Sequence, residues 1–63
     1  MPFVNVKITK TGVTKDQKRE IVEGITDTLS RVLNKRPEAT HIVIEEVELE
    51  NWGVNRKLVA DKA

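Results

Sequence analysis

The chain has 63 residues, which is enough for one small domain over residues 1–63. Lys and Arg number 11 against 10 Asp and Glu, and this net charge of +1 argues against a protein that binds the nucleic-acid backbone. With no Cys and one His, the composition excludes a disulfide framework and thiol catalysis and argues against a structural zinc site.

The small size predicts self-association. A chain below about 70–80 residues rarely builds a sufficient core by itself, and this one has only Phe3 and Trp52 as aromatic residues. We therefore expect an obligate homo-oligomer. No apolar stretch is long enough to span a bilayer and no signal peptide is apparent, so we expect no membrane partner and a cytoplasmic location.

The first predicted element is a strand over residues 2–8, because apolar and polar side chains alternate there. Val4, Val6 and Ile8 share its buried face. Pro2 stands at the first position, where the missing amide hydrogen does no harm. A loop over residues 9–13 follows.

A helix is predicted over residues 15–33. Thr14 and Gln17 have the spacing of a capping box, and Asn34 ends the helix. Gly24 lies inside it at a cost of about 1 kcal/mol relative to Ala, which usually indicates close approach to the sheet or to another helix. Apolar residues recur every three or four positions and form one stripe: Ile21, Val22, Ile25, Leu29, Val32 and Leu33.

A second strand is predicted over residues 41–47, with a centre that is apolar on both faces, as in a covered sheet. Two strands joined by a helix of this length pair in parallel through a right-handed crossover. Residues 48–63 carry Asn51 and Gly53 as turn residues around Trp52, and we expect a short hairpin or arm that packs on another subunit.

The predicted fold class is therefore α/β, a β-α-β unit with a short C-terminal hairpin. Two strands are too little sheet to be stable alone. Two copies joined edge to edge would form a four-stranded sheet with two helices on one face. The opposite face would stay partly apolar, which favours further assembly.

The most unusual chemical feature is a Pro directly after the initiator Met. Methionine removal is favoured before a small residue, so we expect the mature chain to begin at Pro2 with a free secondary amine. Apolar surroundings and nearby cations lower the pKa of an amine, and the neutral form is a base or nucleophile. The alternative is that Pro2 merely starts an edge strand, and the dipeptide by itself favours that alternative.

Four ordered features resemble the 4-oxalocrotonate tautomerase family: Pro2 opening a strand, the helix start Thr14-x-x-Gln17-Lys18, the strand His41-Ile42-Val43-Ile44-Glu45-Glu46, and Asn51-Trp52-Gly53-Val54. Together they cover essentially the whole chain, and its length matches the small-subunit members. The resemblance implies the β-α-β tautomerase fold, assembled as dimers that commonly form a trimer of dimers.

The resemblance also implies an activity, a keto–enol tautomerase that needs no cofactor and acts on a 2-hydroxydienoate or a related enol or 2-oxo acid. Pro2 would be the general base. Trp52 matches the family aromatic after the second strand and before a Gly, and would form an apolar wall that desolvates Pro2 and packs on the substrate. An interface anchor is an equally good interpretation of Trp52, and the two roles are compatible.

The cationic positions depart from the better-known family pattern, which has one Arg in the loop after the first strand and another at the start of the second. Val13 and His41 occupy these positions, so a dicarboxylate held by two arginines is poorly supported. His41 is either a donor to an enolate oxygen or a plain strand-edge histidine, and Lys10 is either a substrate-binding cation or a solvated loop charge. Three further cations have no predicted place: Arg36, Arg56 and Lys57.

The expected partners are a small-molecule substrate and other copies of the chain, as a homohexamer or otherwise a homodimer. No metal, no cofactor and no nucleic acid are expected. Glu45 and Glu46 are interpreted as paired interface carboxylates rather than acid catalysts. The alternative function is a non-catalytic oligomeric assembly or small-molecule-binding protein on the same fold. A retained Met1 would favour it, because the Pro2 nitrogen would then be an amide.

Overall fold

The computed structural model describes residues 2–61, and its first element is the strand β1, Phe3–Thr9. The strand begins one residue later than predicted. Its side chains alternate between half-buried and exposed positions, as the sequence pattern indicates: Val4, Val6 and Ile8 against Phe3, Asn5 and Lys7. In the loop that follows, Gly12 has a φ of 82°, in the left-handed region that glycine adopts freely.

The helix α1 spans Lys15–Leu33, which confirms the predicted range. Its capping box is formed, because the backbone N–H of Gln17 donates to Thr14 Oγ1 at 3.1 Å and Gln17 Oε1 accepts from the Thr14 N–H at 2.9 Å. Asn34 ends the helix with a φ of 55°. Both caps provide partners for backbone groups that a bare helix end leaves unpaired.

The second strand, β2 (His41–Val47), also has the predicted bounds and pairs in parallel with β1. The register runs from Phe3↔His41 to Thr9↔Val47, so paired residues lie on the same face of a two-stranded sheet. Within one chain only one face is covered by α1. Val43 on the other face is 41% exposed, although the apolar strand centre predicted cover on both faces.

The sheet-facing side of α1 is shorter than the predicted apolar stripe. Ile25 and Leu29 are half-buried, and Lys18 near the start of the helix forms an ion pair with Glu46 of β2, Nζ to Oε2 at 2.9 Å. Val32 and Leu33 in the last turn are 61% and 55% exposed. The reason is length, because a 19-residue helix is about 28 Å long and a seven-residue strand only about 23 Å.

The C-terminal arm, residues 48–61, contains the predicted hairpin, formed by β3 (Gly53–Val54) and β4 (Lys57–Leu58) in antiparallel pairing. The turn is not at Asn51 and Gly53 as predicted. It falls at Asn55 and Arg56, whose φ angles of 52° and 68° are those of the tight turn that joins short hairpin strands.

None of residues 2–61 is buried in the single chain. The radius of gyration is 14.6 Å, whereas a compact domain of this length would have about 11 Å. The helix–sheet layer and the arm thus leave apolar surface exposed that a folded protein normally covers. In the part of the chain that is described, no helix has the length and apolar character needed to cross a membrane.

Candidate active site

Pro2 and His41 lie side by side at one end of the parallel sheet. The carbonyl oxygen of Pro2 accepts a hydrogen bond from the His41 backbone N–H at 3.0 Å, which extends the β1–β2 pairing by one residue. Pro2 is half-buried and His41 is exposed. The parallel register brings these two candidate residues together although they are far apart in sequence.

Phe3 completes this end of the sheet and was not among the predicted site residues. It pairs in register with His41 on the face that α1 leaves open, and it is 64% exposed. The signal was present in the sequence, because the alternation in the first strand places Phe3 off the buried face. An exposed aromatic next to Pro2 and His41 gives this end an apolar surface.

Lys10 and Trp52 are at the other end of the sheet or beyond it. The Lys10 N–H donates to the Val47 carbonyl at 2.9 Å, where both strands finish, and Lys10 Nζ lies 3.2 Å from Glu48 Oε1. A strand advances about 3.3 Å per residue, so Lys10 is roughly 25 Å from Pro2. One chain therefore does not bring Lys10 to Pro2.

Trp52 is held by the arm that leaves this far end. Its carbonyl oxygen accepts from the Val59 N–H at 2.8 Å, and its own N–H donates to the Leu49 carbonyl at 3.4 Å. The side chain is half-buried within its own chain. The three cations that had no predicted place lie at different ends of the sheet. Arg36 precedes the short helical turn Pro37–Ala39 at the Pro2 end, and Arg56 and Lys57 belong to the hairpin beyond the other end.

Glu45 and Glu46 are paired within the chain. Glu45 Oε1 accepts from Asn5 Nδ2 at 2.7 Å and from Lys7 Nζ at 2.8 Å, on the face opposite α1. The hydrogen bond and charge of Lys7, with the hydrogen bond of Asn5, lower the pKa of Glu45 below its ordinary value. Glu46 is held by Lys18. Glu45 is thus held as an ionised acceptor, which is a poor arrangement for an acid catalyst.

The lowered pKa of Glu45 can be tested by titration of its carboxyl group. Because the folded-state pKa is depressed, the interaction contributes stability above the ordinary glutamate pKa of about 4.5 and loses it as pH falls through the folded-state value. We expect an NMR titration to show the Glu45 carboxyl group deprotonating below the ordinary glutamate pKa of about 4.5. Lys7→Met should move its pKa back up, and an unchanged value in that variant would contradict the assignment.

The fold defines a class of protein: a β-α-β unit with a C-terminal hairpin and a proline beside the open end of a parallel sheet. A family model described as tautomerase enzyme matches residues 2–62. A probable tautomerase K2 of Dickeya dadantii is 45% identical over 62 residues, which is 98% of this chain and 92% of that protein. A probable tautomerase of Helicobacter pylori is 36% identical over 61 residues, covering 94% and 90% of the two chains.

Solved structures agree with the family match. One of the 4-oxalocrotonate tautomerase isozymes from Methylibium petroleiphilum superimposes with a TM-score of 0.91 at 31% identity, covering 97% of this chain and 94% of the other. DmpI from Helicobacter pylori gives 0.87 at 34% identity, with 94% and 91% covered. The chain belongs to the 4-oxalocrotonate tautomerase family, and this membership supports an isomerase of the tautomerase type.

Proposed function

We propose that the protein, as a single domain over residues 1–63, is a keto–enol tautomerase that needs no cofactor and uses the amino-terminal nitrogen of Pro2 as its base. Met1 lies outside the described residues, and its removal is part of the proposal. The observation that carries it is the place of Pro2, half-buried at the open end of the sheet beside His41 and Phe3. Family membership supplies the reaction class.

Keto–enol tautomerisation requires a group that transfers a proton and a hydrogen-bond donor that stabilises the negative charge of the enolate. Neutral Pro2 removes the hydroxyl proton of the enol, and the negative charge left behind is shared between oxygen and the conjugated carbons as an enolate. The protonated amine then gives its proton to a carbon of the conjugated system, so an O–H bond is exchanged for a C–H bond and the double bonds shift between them. His41 is the candidate donor to the enolate oxygen in the same chain, because it lies beside Pro2.

A neutral amine near pH 7 requires a downward pKa shift, which burial and a nearby positive charge both produce. Pro2 is only half-buried within one chain, and the cation Lys10 is at the far end of its own sheet. The further burial of Pro2 and the positive charge beside it must therefore come from a second copy. We accordingly propose that the working enzyme is an oligomer, a dimer or a trimer of dimers.

Pairing of a second copy with the free edge of the sheet would supply both the cation and the burial of Pro2. The edge of β1 away from β2 has no strand beside it among residues 2–61. Antiparallel pairing of two β1 strands over their full length has its two-fold axis at Val6, which sets Lys10 of the second copy opposite Pro2. The arm with Trp52 leaves the same end as Lys10, so it also approaches Pro2 from the second copy.

The substrate class follows from the charges available. Val13 is apolar at the loop position where the family pattern has an arginine, and Lys10 is shared with Glu48. One ammonium and one imidazole suit a single carboxylate and an enol oxygen better than two carboxylates. We therefore propose a 2-hydroxydienoate or related enol of a 2-oxo acid as substrate.

The direct test is a tautomerase assay with phenylpyruvate as a monocarboxylate and 2-hydroxymuconate as a dicarboxylate. We expect ketonisation above the solution rate for both, and a higher kcat/KM for the monocarboxylate. The same sample must have an intact mass without Met1. Absence of activity from chains that lack Met1 and are properly assembled would contradict the proposal and favour a non-catalytic binding or assembly protein.

A further inference from the structure

Lys10, the cation proposed to bind the substrate carboxylate, is paired with an acidic side chain of its own chain. Its Nζ lies 3.2 Å from Glu48 Oε1, and both side chains are more than half exposed. Among residues 2–61, Glu48 is the one acidic residue within ion-pair distance of Lys10. The cation is therefore already engaged by a carboxylate before any substrate is bound.

The backbone holds the side chains of Lys10 and Glu48 next to each other. Both residues directly follow the last register pair of the parallel sheet, Thr9↔Val47. The Lys10 N–H donates to the Val47 carbonyl at 2.9 Å. The Glu48 carbonyl accepts from the Asn51 N–H, also at 2.9 Å. A surface ion pair adds little to stability, so the pair matters for the negative charge that it keeps beside the cation.

In the proposed dimer, Glu48 belongs to the same row across the sheet as the base. Antiparallel pairing of β1 about Val6 sets Lys10 of the second copy opposite Pro2, and Glu48 of that copy lies one strand further out. The row from Pro2 to Glu48 is thus two strand spacings long, about 9.6 Å. A substrate carboxylate at Lys10 is one spacing from Glu48, about 5 Å. This distance is shorter than the Debye length of about 8 Å at physiological salt, so salt screens the repulsion only in part.

The charges of this row decide how many carboxylates the site can accept. Lys10 and Glu48 together have no net charge, and Val13 in the same loop is apolar. A substrate with one carboxylate brings one negative charge to this neutral pair, whereas a dicarboxylate brings two. Since Glu48 repels each of them, its unfavourable effect on binding increases with the number of carboxylates.

We propose that Glu48 is a specificity-determining residue, through which the site selects substrates with one carboxylate over substrates with two. It acts by neutralising Lys10 and by repelling a further negative charge. Glu48 takes no part in the proton transfer. The inference rests on the proposed function, in which Lys10 binds the substrate, and it assigns the preference for a monocarboxylate to one side chain.

Glu48→Gln tests the proposal in the assay with 2-hydroxymuconate and phenylpyruvate. Gln has nearly the same size but no charge, so it frees Lys10 and removes the repulsion. We expect the dicarboxylate-to-monocarboxylate ratio of kcat/KM to rise roughly threefold to tenfold over wild type, as for the loss of one partly screened charge pair. The change should be in KM, with kcat little altered, because the carboxylate is bound alike in the ground and transition states. An unchanged ratio would overturn the proposal.

The arm supplies a matched control, Glu50→Gln. Glu50 is exposed two residues further on, and within residues 2–61 it forms no ion pair, so this variant removes the same charge without freeing Lys10. A second control, Glu48→Asp, keeps the charge at the site. Both controls should keep the wild-type ratio. A rise in either of them as large as in Glu48→Gln would overturn the proposal.

The assembly and the activity of wild type separate this inference from the proposed function. Glu48 is exposed, so its substitution should change stability little, and sedimentation velocity compares each variant with wild type. Glu48→Ala is the second neutral variant, and the same rise in the ratio is expected for it. An inactive wild type would contradict the proposed function and this inference with it. An active wild type whose ratio is the same in both neutral variants would contradict only the role of Glu48.

Discussion

Replacing Pro2→Ala is expected to lower kcat by about 10²–10⁴-fold, the usual contribution of a positioned acid–base group. The variant still presents an amine after Met1 removal, but a primary one without the ring, so we expect the loss toward the lower end of this range. An ordinary terminal amine titrates near pH 7.7–8.0. The wild-type rate should rise as Pro2 loses its proton, and this limb should shift or vanish in the variant.

The chain supplies its own matched control for this experiment, because its only other proline, Pro37, lies in the turn before β2. Pro37→Ala should leave the pH–rate profile unchanged. Pro2→Ala should leave the oligomer intact, since Pro2 lies outside β1, the strand whose pairing joins the proposed dimer. Full activity in Pro2→Ala, or in chains that retain Met1, would remove Pro2 from the mechanism.

Mixing two inactive variants is expected to restore activity, because we place the two halves of each site on different copies. Pro2→Ala inactivates the base, and Lys10→Ala removes a charged donor whose loss costs about 10–10²-fold. In a mixed dimer one site then combines both mutations and the other has neither. Random co-refolding of equal amounts should leave about a quarter of all sites intact. We expect kcat near a quarter of wild type, well above either parent.

The control for this mixture is the Pro2→Ala chain refolded with a Pro2→Ala/Lys10→Ala chain, in which no intact site can form. Its activity should not exceed that of Pro2→Ala alone, because every site lacks Pro2 and about half of the sites also lack Lys10. If each site were built from one chain, the first mixture would give only the average of its parents. That result would contradict the supply of Lys10 by a second copy, whatever the role of Pro2.

Local elements were predictable because their signals are local. The capping box at Thr14 and Gln17 and the left-handed cap at Asn34 set both ends of α1 within the sequence that surrounds them. Strand β2 was predicted with its observed bounds from its apolar centre. The hairpin turn was misplaced, because only the first of its two residues, Asn55, is a usual turn residue, and Arg56 has a positive φ at a position where Gly is the common choice.

The candidate site was predictable only as a set of residues, and most of that set still depends on the resemblance. Sequence reasoning selected Pro2, His41, Lys10 and Trp52, but their spacing along the chain says nothing of their separation in space. The parallel register sets His41 beside Pro2 and sends Lys10 to the other end of the same strand. Phe3, at the Pro2 end of the sheet, was not predicted for the site, because the alternation in the first strand gives the face on which it lies but not its register partner His41.

By itself the sequence determined the class of fold and the helix with its caps, and it predicts self-association, because periodicity, capping and the size of a possible core are properties of short segments and of composition. Only the tertiary structure decided which ends of the elements meet. A parallel sheet aligns the two strand starts and so joins Pro2 to His41, whereas a strand of seven residues necessarily separates Pro2 from Lys10. The same geometry leaves the β1 edge without a neighbouring strand among residues 2–61, and this is the edge at which we propose that a second copy pairs.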